Sequence, residues 1–430
     1  MDQREILPQV SDIHNDAGLT DIMVLGKQYK RAKMGTYHNF VNEALYVQGD
    51  TTGATVTGSG TATVNTALTA GTSGYVRVGD LVKFINAGGK IGLVIAVTPG
   101  TNDALQIQSV DGTTITHVAG EKLSFFSNAY GEKSKAASNR KTGVTKYLNK
   151  LQIFREVNTI TDVQKASPIE VTYKGQNLVV YKDLYEKAVK LKGDINAAVI
   201  MGEMSATSWD DANPALVDPT NSGAVQTTRG LDSYIIGQGG IDDTVASLGT
   251  FALADAEDIV NQFVAKKAPK SHYGFHSTAV GMKVSNMLKA LGSAGTMPQR
   301  MMIQGQSINY DATEWTYGGH KFQLTNLPIL DHVEIMGGTI MAKSIYWVPT
   351  DRVKTHGEDG GTHPRIQMRY WPHQIASNTG TELIAEWHGG AKAPTGPNGD
   401  PEAVWNTYWL TYQGLECLGL QHFGRTRVIS

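Results

Sequence analysis

Twelve histidines and one cysteine are the groups in this 430-residue chain with the most chemistry to offer. His356, His363, His373 and His388 crowd into a 33-residue stretch that also holds Glu358 and Asp359. None of them makes the H-E-x-x-H spacing that sets two imidazoles on one helix face around a zinc ion. The stretch is rich in Gly, Pro and His, so a solvated loop is expected there and no metal site. Cys417 and His422 are five residues apart. On one strand they would point to opposite faces, which separates a nucleophile from its base. A buried structural cysteine is expected instead. A lone cysteine also excludes an internal disulfide framework and any cysteine-built zinc or iron–sulfur cage.

Other chemical signatures fail on spacing. Gly237-Gln238-Gly239-Gly240 lacks the G-x-G-x-x-G pattern, and no crossover helix follows it. There is no G-x-x-x-x-G-K-[ST] loop to cradle phosphates and no G-x-S-x-G elbow. Asp242-Asp243 is a carboxylate pair without a geometry that would make it catalytic. No catalytic residue, cofactor or metal is expected, and nothing here asks for an enzyme.

Charge is the remaining candidate. The formal net charge is -2, which argues against a protein that coats nucleic acid by bulk charge. Positive charge is nevertheless concentrated in two places. Lys27, Lys30, Arg31 and Lys33 fall within seven residues. Lys133, Lys135, Arg140, Lys141, Lys146 and Lys150 face only Glu132. These ten residues are the candidates for contact with a neighbouring subunit's acids or with DNA. No run of about 18 apolar residues exists, so no membrane span is expected. The start, Met1-Asp2-Gln3-Arg4-Glu5, leads into no long apolar run, so no secretory signal is expected.

Several elements can be read around these groups. Residues 1–46 form a polar arm. Residues 47–72 alternate Thr and Val with small residues, as in Gly53-Ala54-Thr55-Val56-Thr57, and predict a β-hairpin with little bulk of its own. Residues 75–126 predict four or five short strands divided by Gly79-Asp80, Gly88-Gly89, Pro99-Gly100 and Asp111-Gly112 turns, as in a small barrel or sandwich. A long helix is predicted over 180–204. Its apolar face is Tyr181, Leu184, Ala188, Leu191, Ile195 and Ala198. Glu186 and Lys190 are an i,i+4 pair on it. Residues 205–250 read as loops. A second helix starts with Asp255 as N-cap, and a third runs from Thr278 to Leu291. The rest reads mainly as β: a hairpin over Trp315–Leu324, a strand over Met341–Val348, and a buried central strand over Val404–Cys417.

This order of elements resembles the major capsid proteins of tailed bacteriophages, with the Hong Kong 97-type fold. Local strings carry the resemblance too. Leu151-Gln152-Ile153-Phe154-Arg155-Glu156-Val157 resembles the strand leaving the extended loop, and Thr228-Arg229-Gly230-Leu231 the segment after the spine helix. Trp315 to Leu324 and Gln413 to Leu420 resemble axial and closing peripheral strands. The resemblance implies an α+β fold with a long spine helix, peripheral and axial domains, and an extended β-loop. The β-module at 75–126 departs from it as a small barrel-like insertion in that loop, similar to some gut-phage capsid subunits. The implied division is arm 1–46, extended loop 47–150, peripheral domain with spine helix 151–245, mixed peripheral and axial 246–400, and closing strands 401–430.

The implied function is self-assembly into pentamers and hexamers of an icosahedral shell around phage DNA. The implied partners are copies of itself, packaged double-stranded DNA, and portal, scaffolding or decoration proteins. The implied location is the virion, after assembly in the host bacterial cytoplasm. Lysine–asparagine cross-linking is not implied, since no motif identifies a pair. Two other classes compete. A tail, baseplate or fibre protein would also use Gly/Thr-rich β-structure, but the long amphipathic helix argues against it. A polysaccharide hydrolase would need carboxylates in the 355–402 loops.

The composition fits such a subunit. Charged residues make up 18%, below the roughly 25% of ordinary domains, and glycine reaches 47 residues. Surfaces covered by neighbouring subunits are depleted of charge.

Overall fold

The structure is a computed structural model, and it describes residues 18–20, 23, 28–42, 48–50, 61–65, 76–85, 88–98, 104–115, 120–132, 134, 144–161, 172–173, 176–220, 222–293, 314–355, 361–372, 385–390 and 404–430. The chain divides into two compact units, one formed by 40–146 and the other by 1–39 with 147–430.

In chain order, β1 (Tyr29–Arg31) and β2 (Thr36–Asn42) lead into the smaller unit. That unit contains β3 (Gln48–Asp50), β4 (Thr61–Asn65), β5 (Asp80–Phe84), β6 (Ile91–Thr98), β7 (Ala104–Ser109) and β8 (Lys122–Asn128). They form one six-stranded antiparallel sheet in the order β3-β8-β5-β6-β7-β4. Alternation explains it: Asp80, Val82 and Phe84 of β5 face inward, as do Leu105 and Ile107 of β7. With Val76, Val94, Ile115 and Leu123 these make a core of their own. Of the hairpin predicted over 47–72 only β3 and β4 fall within the described residues, and they do not pair with each other. Its strands β3 and β4 pair with β8 and β7, at opposite edges of the sheet. Small side chains cannot stabilise an isolated hairpin, so each strand takes a larger partner.

The chain returns through β9 (Val144–Lys150), which pairs with β2, and β10 (Gln152–Thr161). After the short β11 (Thr172–Tyr173) and β12 (Gln176–Asn177) comes α1 (Leu178–Met201), 24 residues and about 36 Å long. Its buried face in the described half is Leu191, Ile195, Val199 and Ile200, at three- and four-residue steps. Ala188, predicted on that face, is exposed. Asn196 is also buried, because its Oδ1 accepts the Thr20 N–H at 3.0 Å. Leu19 and Met23 of the arm therefore belong to this chain's own core.

Beyond α1 lie α2 (Leu231–Gly237), β13 (Ile241–Thr244), α3 (Leu253–Ala265), β14 (Ser271–His276) and α4 (Thr278–Ser293). Sequence reading missed α2, a seven-residue helix in a segment read as loop. Asp255 sits in the first turn of α3 rather than at its cap, and its carboxylate accepts the N–H groups of Ala252 (2.7 Å) and Ala246 (2.9 Å). Next come β15 (Glu314–Tyr317), β16 (His320–Asn326), the four-residue α5 (Val333–Met336), β17 (Ser344–Pro349), β18 (Arg352–Thr355) and β19 (Gly361–Pro364). The β15–β16 hairpin forms as expected. Gly318 and Gly319 both have positive φ, 56° and 78°, which suits a two-residue turn.

The last elements are β20 (Ile366–Tyr370), β21 (Ala385–Gly390), β22 (Val404–Cys417) and β23 (Gly424–Arg427). Central β22 pairs with β10 on one side and with β20 and β21 on the other, and β1 adds to β20 in parallel. α1 packs against β10 and β22. The second large sheet runs β13-β23-β17-β14-β16-β15. Its central strand β17 is buried throughout. Ile345 and Trp347 face the core with α3 and α4, while Tyr346 and Val348 face the core with α1 and α2. A strand covered on both faces reads as continuous apolar sequence, as this one does.

Candidate functional site

The structure separates the ten basic candidates. Lys27, Lys133, Lys135, Arg140 and Lys141 lie outside the described residues. Lys30 is half-buried, and Arg31 and Lys33 are exposed. The strand carrying Lys30 and Arg31 is held on β20 of its own chain, with Met368 N–H donating to Gln28 O (2.9 Å) and Ala32 N–H to Tyr370 O (2.7 Å). Lys146 is exposed.

Lys150 corrects the expectation. It is 4% exposed, and its ammonium donates to the carbonyls of Ser205 (2.9 Å), Ala206 (3.0 Å) and Thr207 (2.9 Å). All three of its donors are used inside the subunit, which leaves none for a neighbour's acid or a phosphate. The sequence placed it in a basic run, and only the fold reveals its carbonyl cage.

Other ionic groups, of which only Asp242 was singled out from the sequence, tie neighbouring elements together. Arg425 of β23 donates to Asp232 of α2 and Asp242 of β13. Arg369 of β20 grips the buried Glu416 of β22, with Nη2 to Oε1 at 2.8 Å, and Gln367 donates to the same carboxylate. Arg365 forms a two-pronged pair with Asp351, Nε to Oδ1 at 2.8 Å and Nη2 to Oδ2 at 2.7 Å. A sequence signal for these was thin, because the partners lie from 14 to 193 residues apart.

The titratable groups with the strongest shifts are interior ones. Burial, then Glu416, raises the Cys417 thiol well above its usual range, so it stays protonated and a poor nucleophile. Burial likewise raises the Tyr37, Tyr234 and Tyr346 hydroxyls. Burial leads the lowering of His272 to about 3 and of His422 to about 4. His272 stacks on Phe263, ring centroids 4.0 Å apart, and His320 lies 6.3 Å from it. His422 Nδ1 stands 3.0 Å from Arg365 Nη1, which can only donate, so that nitrogen is the acceptor. His363 lies on β19 and His388 on β21, while His356 and His373 fall outside the described residues. No group of three metal-ligating side chains occurs among the described residues. No described helix is long and apolar enough to cross a membrane.

What this arrangement does chemically is hold strands in register with saturated ion pairs. No protein-family model matches the chain, and no curated protein is similar to it in sequence. Solved structures are similar to it. One from Microbacterium phage Oxtober96 is 10% identical, with a TM-score of 0.46 over 99% of this chain and 95% of that one. The capsid of a native GTA particle is 8% identical, with a TM-score of 0.41 over 100% and 96%. The capsid of the cyanophage P-SCSP1u is 9% identical, with a TM-score of 0.36 over 70% and 80%. In class the chain is an α+β protein, and the solved structures similar to it include capsids of a phage and of a GTA particle.

Proposed function

We propose that this chain is a major capsid subunit of the Hong Kong 97 type. It assembles with copies of itself into pentamers and hexamers of an icosahedral shell that encloses phage DNA. The observation that carries the reading is how the two sheets of the larger unit share the chain. β1 and β10 come first and belong to the first sheet, with α1 packed on β10; residues 241–349 then build five strands of the second; the chain returns for β20, β21 and β22, and ends in the second as β23. In this reading the second sheet belongs to the axial part, and the order follows the spine-helix, axial-domain, return sequence that the resemblance implies, except that β23 of the closing segment joins the second sheet rather than the first. In this reading 1–46 is the arm, 47–150 the extended loop with its β-module, 151–245 the peripheral domain with the spine helix, 246–400 the mixed peripheral and axial part, and 401–430 the closing strands.

The role is structural and needs no catalytic residue. Shell stability comes from many repeated interfaces, each modest by itself. Arg31, Lys33 and Lys146 are exposed, and in this reading they lie on the surface that meets neighbours' acids or packaged DNA. The protein assembles in the host bacterial cytoplasm and ends in the virion, with portal, scaffolding or decoration proteins as further partners. The test is to express the chain, purify it by size exclusion and image it by electron microscopy. Rings of five and six, and closed shells, are expected. Monomers under every assembly condition tried would overturn the reading, and elongated trimers would replace it with a tail or fibre role.

A further inference from the structure

Two surfaces of opposite sign sit at separate places on the larger unit. Lys266, Lys267 and Lys270 follow the C-terminal end of α3 within five residues, and all three are exposed. The Lys321 N–H donates to the Lys270 carbonyl at 2.6 Å, which sets Lys321 beside them. The Thr350 N–H donates to the Ser271 carbonyl at 3.1 Å, which brings exposed Arg352 and Lys354 to the same end of the sheet. The carboxylates on these segments are already engaged, Asp351 by Arg365 and Glu314 by Lys321. Among the described residues no ion pair engages Lys266, Lys270, Arg352 or Lys354. Val264, on the last turn of α3, is 59% exposed next to them.

The second surface is the segment from Glu203 to Thr228. It carries Glu203, Asp210, Asp211 and Asp218, with no basic residue and no histidine. The fold mounts it firmly. Trp209 packs edge-on against Tyr412, centroids 5.8 Å apart, and lies 6.4 Å from Trp371. Gln226 donates to the carbonyls of Gly35 (2.9 Å) and Leu151 (2.7 Å). Leu216 and Val217 stand exposed among the acids.

We propose that these two surfaces meet between copies of this chain, the basic end of α3 in one subunit against the 203–218 segment of the next. The proposal rests on the self-assembling reading above. Three features favour a second copy over nucleic acid. Each surface pairs exposed aliphatic side chains with charge, the apolar-centre and polar-rim pattern of protein interfaces, whereas phosphates gain nothing from Val264. The complementary charge is present on the same chain. Net charge is slightly negative, so bulk attraction to DNA is absent. Because the two surfaces differ, the contact is head-to-tail, and such contacts close into rings when the rotation allows.

The test changes only exposed residues. One full-length variant carries Lys266→Glu, Lys270→Glu and Arg352→Glu, a second carries Glu203→Lys and Asp210→Lys, and a third carries all five. Circular dichroism and melting confirm that each is folded. Each single-surface variant is expected to need at least about tenfold more protein to form rings or shells than the wild type. The five-fold swap, again self-complementary, is expected to return to within about threefold of wild type. Single-surface variants that assemble like the wild type overturn the interface, as does a folded swap that does not recover. Normal assembly with less retained DNA in the basic-surface variant also overturns it, in favour of a polyanion site. A wild-type chain that never assembles fails the capsid reading itself, an outcome distinct from these.

Discussion

Arg425 and Asp232 form an ion pair at 2.9 Å between the last strand of the chain and helix α2, with 7% of each side chain exposed. Arg425 also grips Asp242 with Nε (3.0 Å) and Nη2 (2.7 Å), and the Tyr346 hydroxyl donates to Asp232 at 2.7 Å. One guanidinium thus joins α2, β13 and β23, with β17 attached through the tyrosine. Arg425→Met would leave a buried carboxylate with one neutral partner. The expected loss is about 3–5 kcal/mol, read from the urea midpoint. Removing both charges, as Arg425→Met with Asp232→Leu, should cost less than the single change. A double variant less stable than Arg425→Met would contradict this account.

Acid should weaken the larger unit through its buried histidines. Burial, with His320 nearby, lowers His272 to about 3; burial, with Arg365, lowers His422 to about 4. In the unfolded chain both take a proton near pH 6.5. Between pH 6.5 and those lowered values the unfolded state therefore binds more protons than the folded one. The stability they contribute is complete above pH 6.5 and drains away as pH falls toward 4 and then 3. Gln at position 422 can still accept from Arg365 but cannot titrate. His422→Gln should lose less stability than the wild type between pH 7 and pH 4.5 in paired denaturation curves; equal losses would refute the assignment.

Local pattern carried much of the fold. The apolar period exposed α1, Gly318-Gly319 between apolar runs exposed the β15–β16 hairpin, and the two-sided apolar run at 404–417 exposed β22 as a central strand. What stayed hidden depends on contacts far apart in sequence. α2 has only seven residues, and Leu231, Tyr234 and Ile235 are buried against a core assembled from 19 to 423. β3 and β4 look like each other's partners, yet the module's larger strands take both. Asp232, Arg425 and Glu416 are single charges in sequence, and their meaning appears only when the sheets form.

Lys150 separates a basic residue that builds the subunit from one that faces outward. Its ammonium satisfies three carbonyls at 2.9–3.0 Å. Lys150→Met would remove this donor from all three carbonyls, of which Thr207 O keeps the Ser205 hydroxyl, and a loss of about 1–3 kcal/mol is expected. Lys146→Met, at an exposed site, should change stability by less than about 0.5 kcal/mol. Thermal melts of the two variants make the comparison, and a Lys150→Met protein as stable as wild type would show the cage to be unimportant.

Phe84 tests whether the smaller unit stands on its own core. Its ring is fully buried among Val76, Val82, Val94, Leu105, Ile107, Ile115 and Leu123, all from the same unit. Phe84→Ala removes a large side chain from this small cluster, at a cost of about 3–5 kcal/mol. The chain supplies a built-in reporter. All seven tryptophans, from Trp209 to Trp409, lie outside residues 40–146. Tryptophan emission therefore follows the larger unit, while limited proteolysis mapped by mass spectrometry follows cuts within 40–146. Phe84→Ala should speed cleavage inside 40–146 at denaturant concentrations where the tryptophan midpoint has not moved. An equal drop in that midpoint would mean the two units unfold as one, and the β-module would then be a cooperative part of the subunit rather than an insertion stable through its own core.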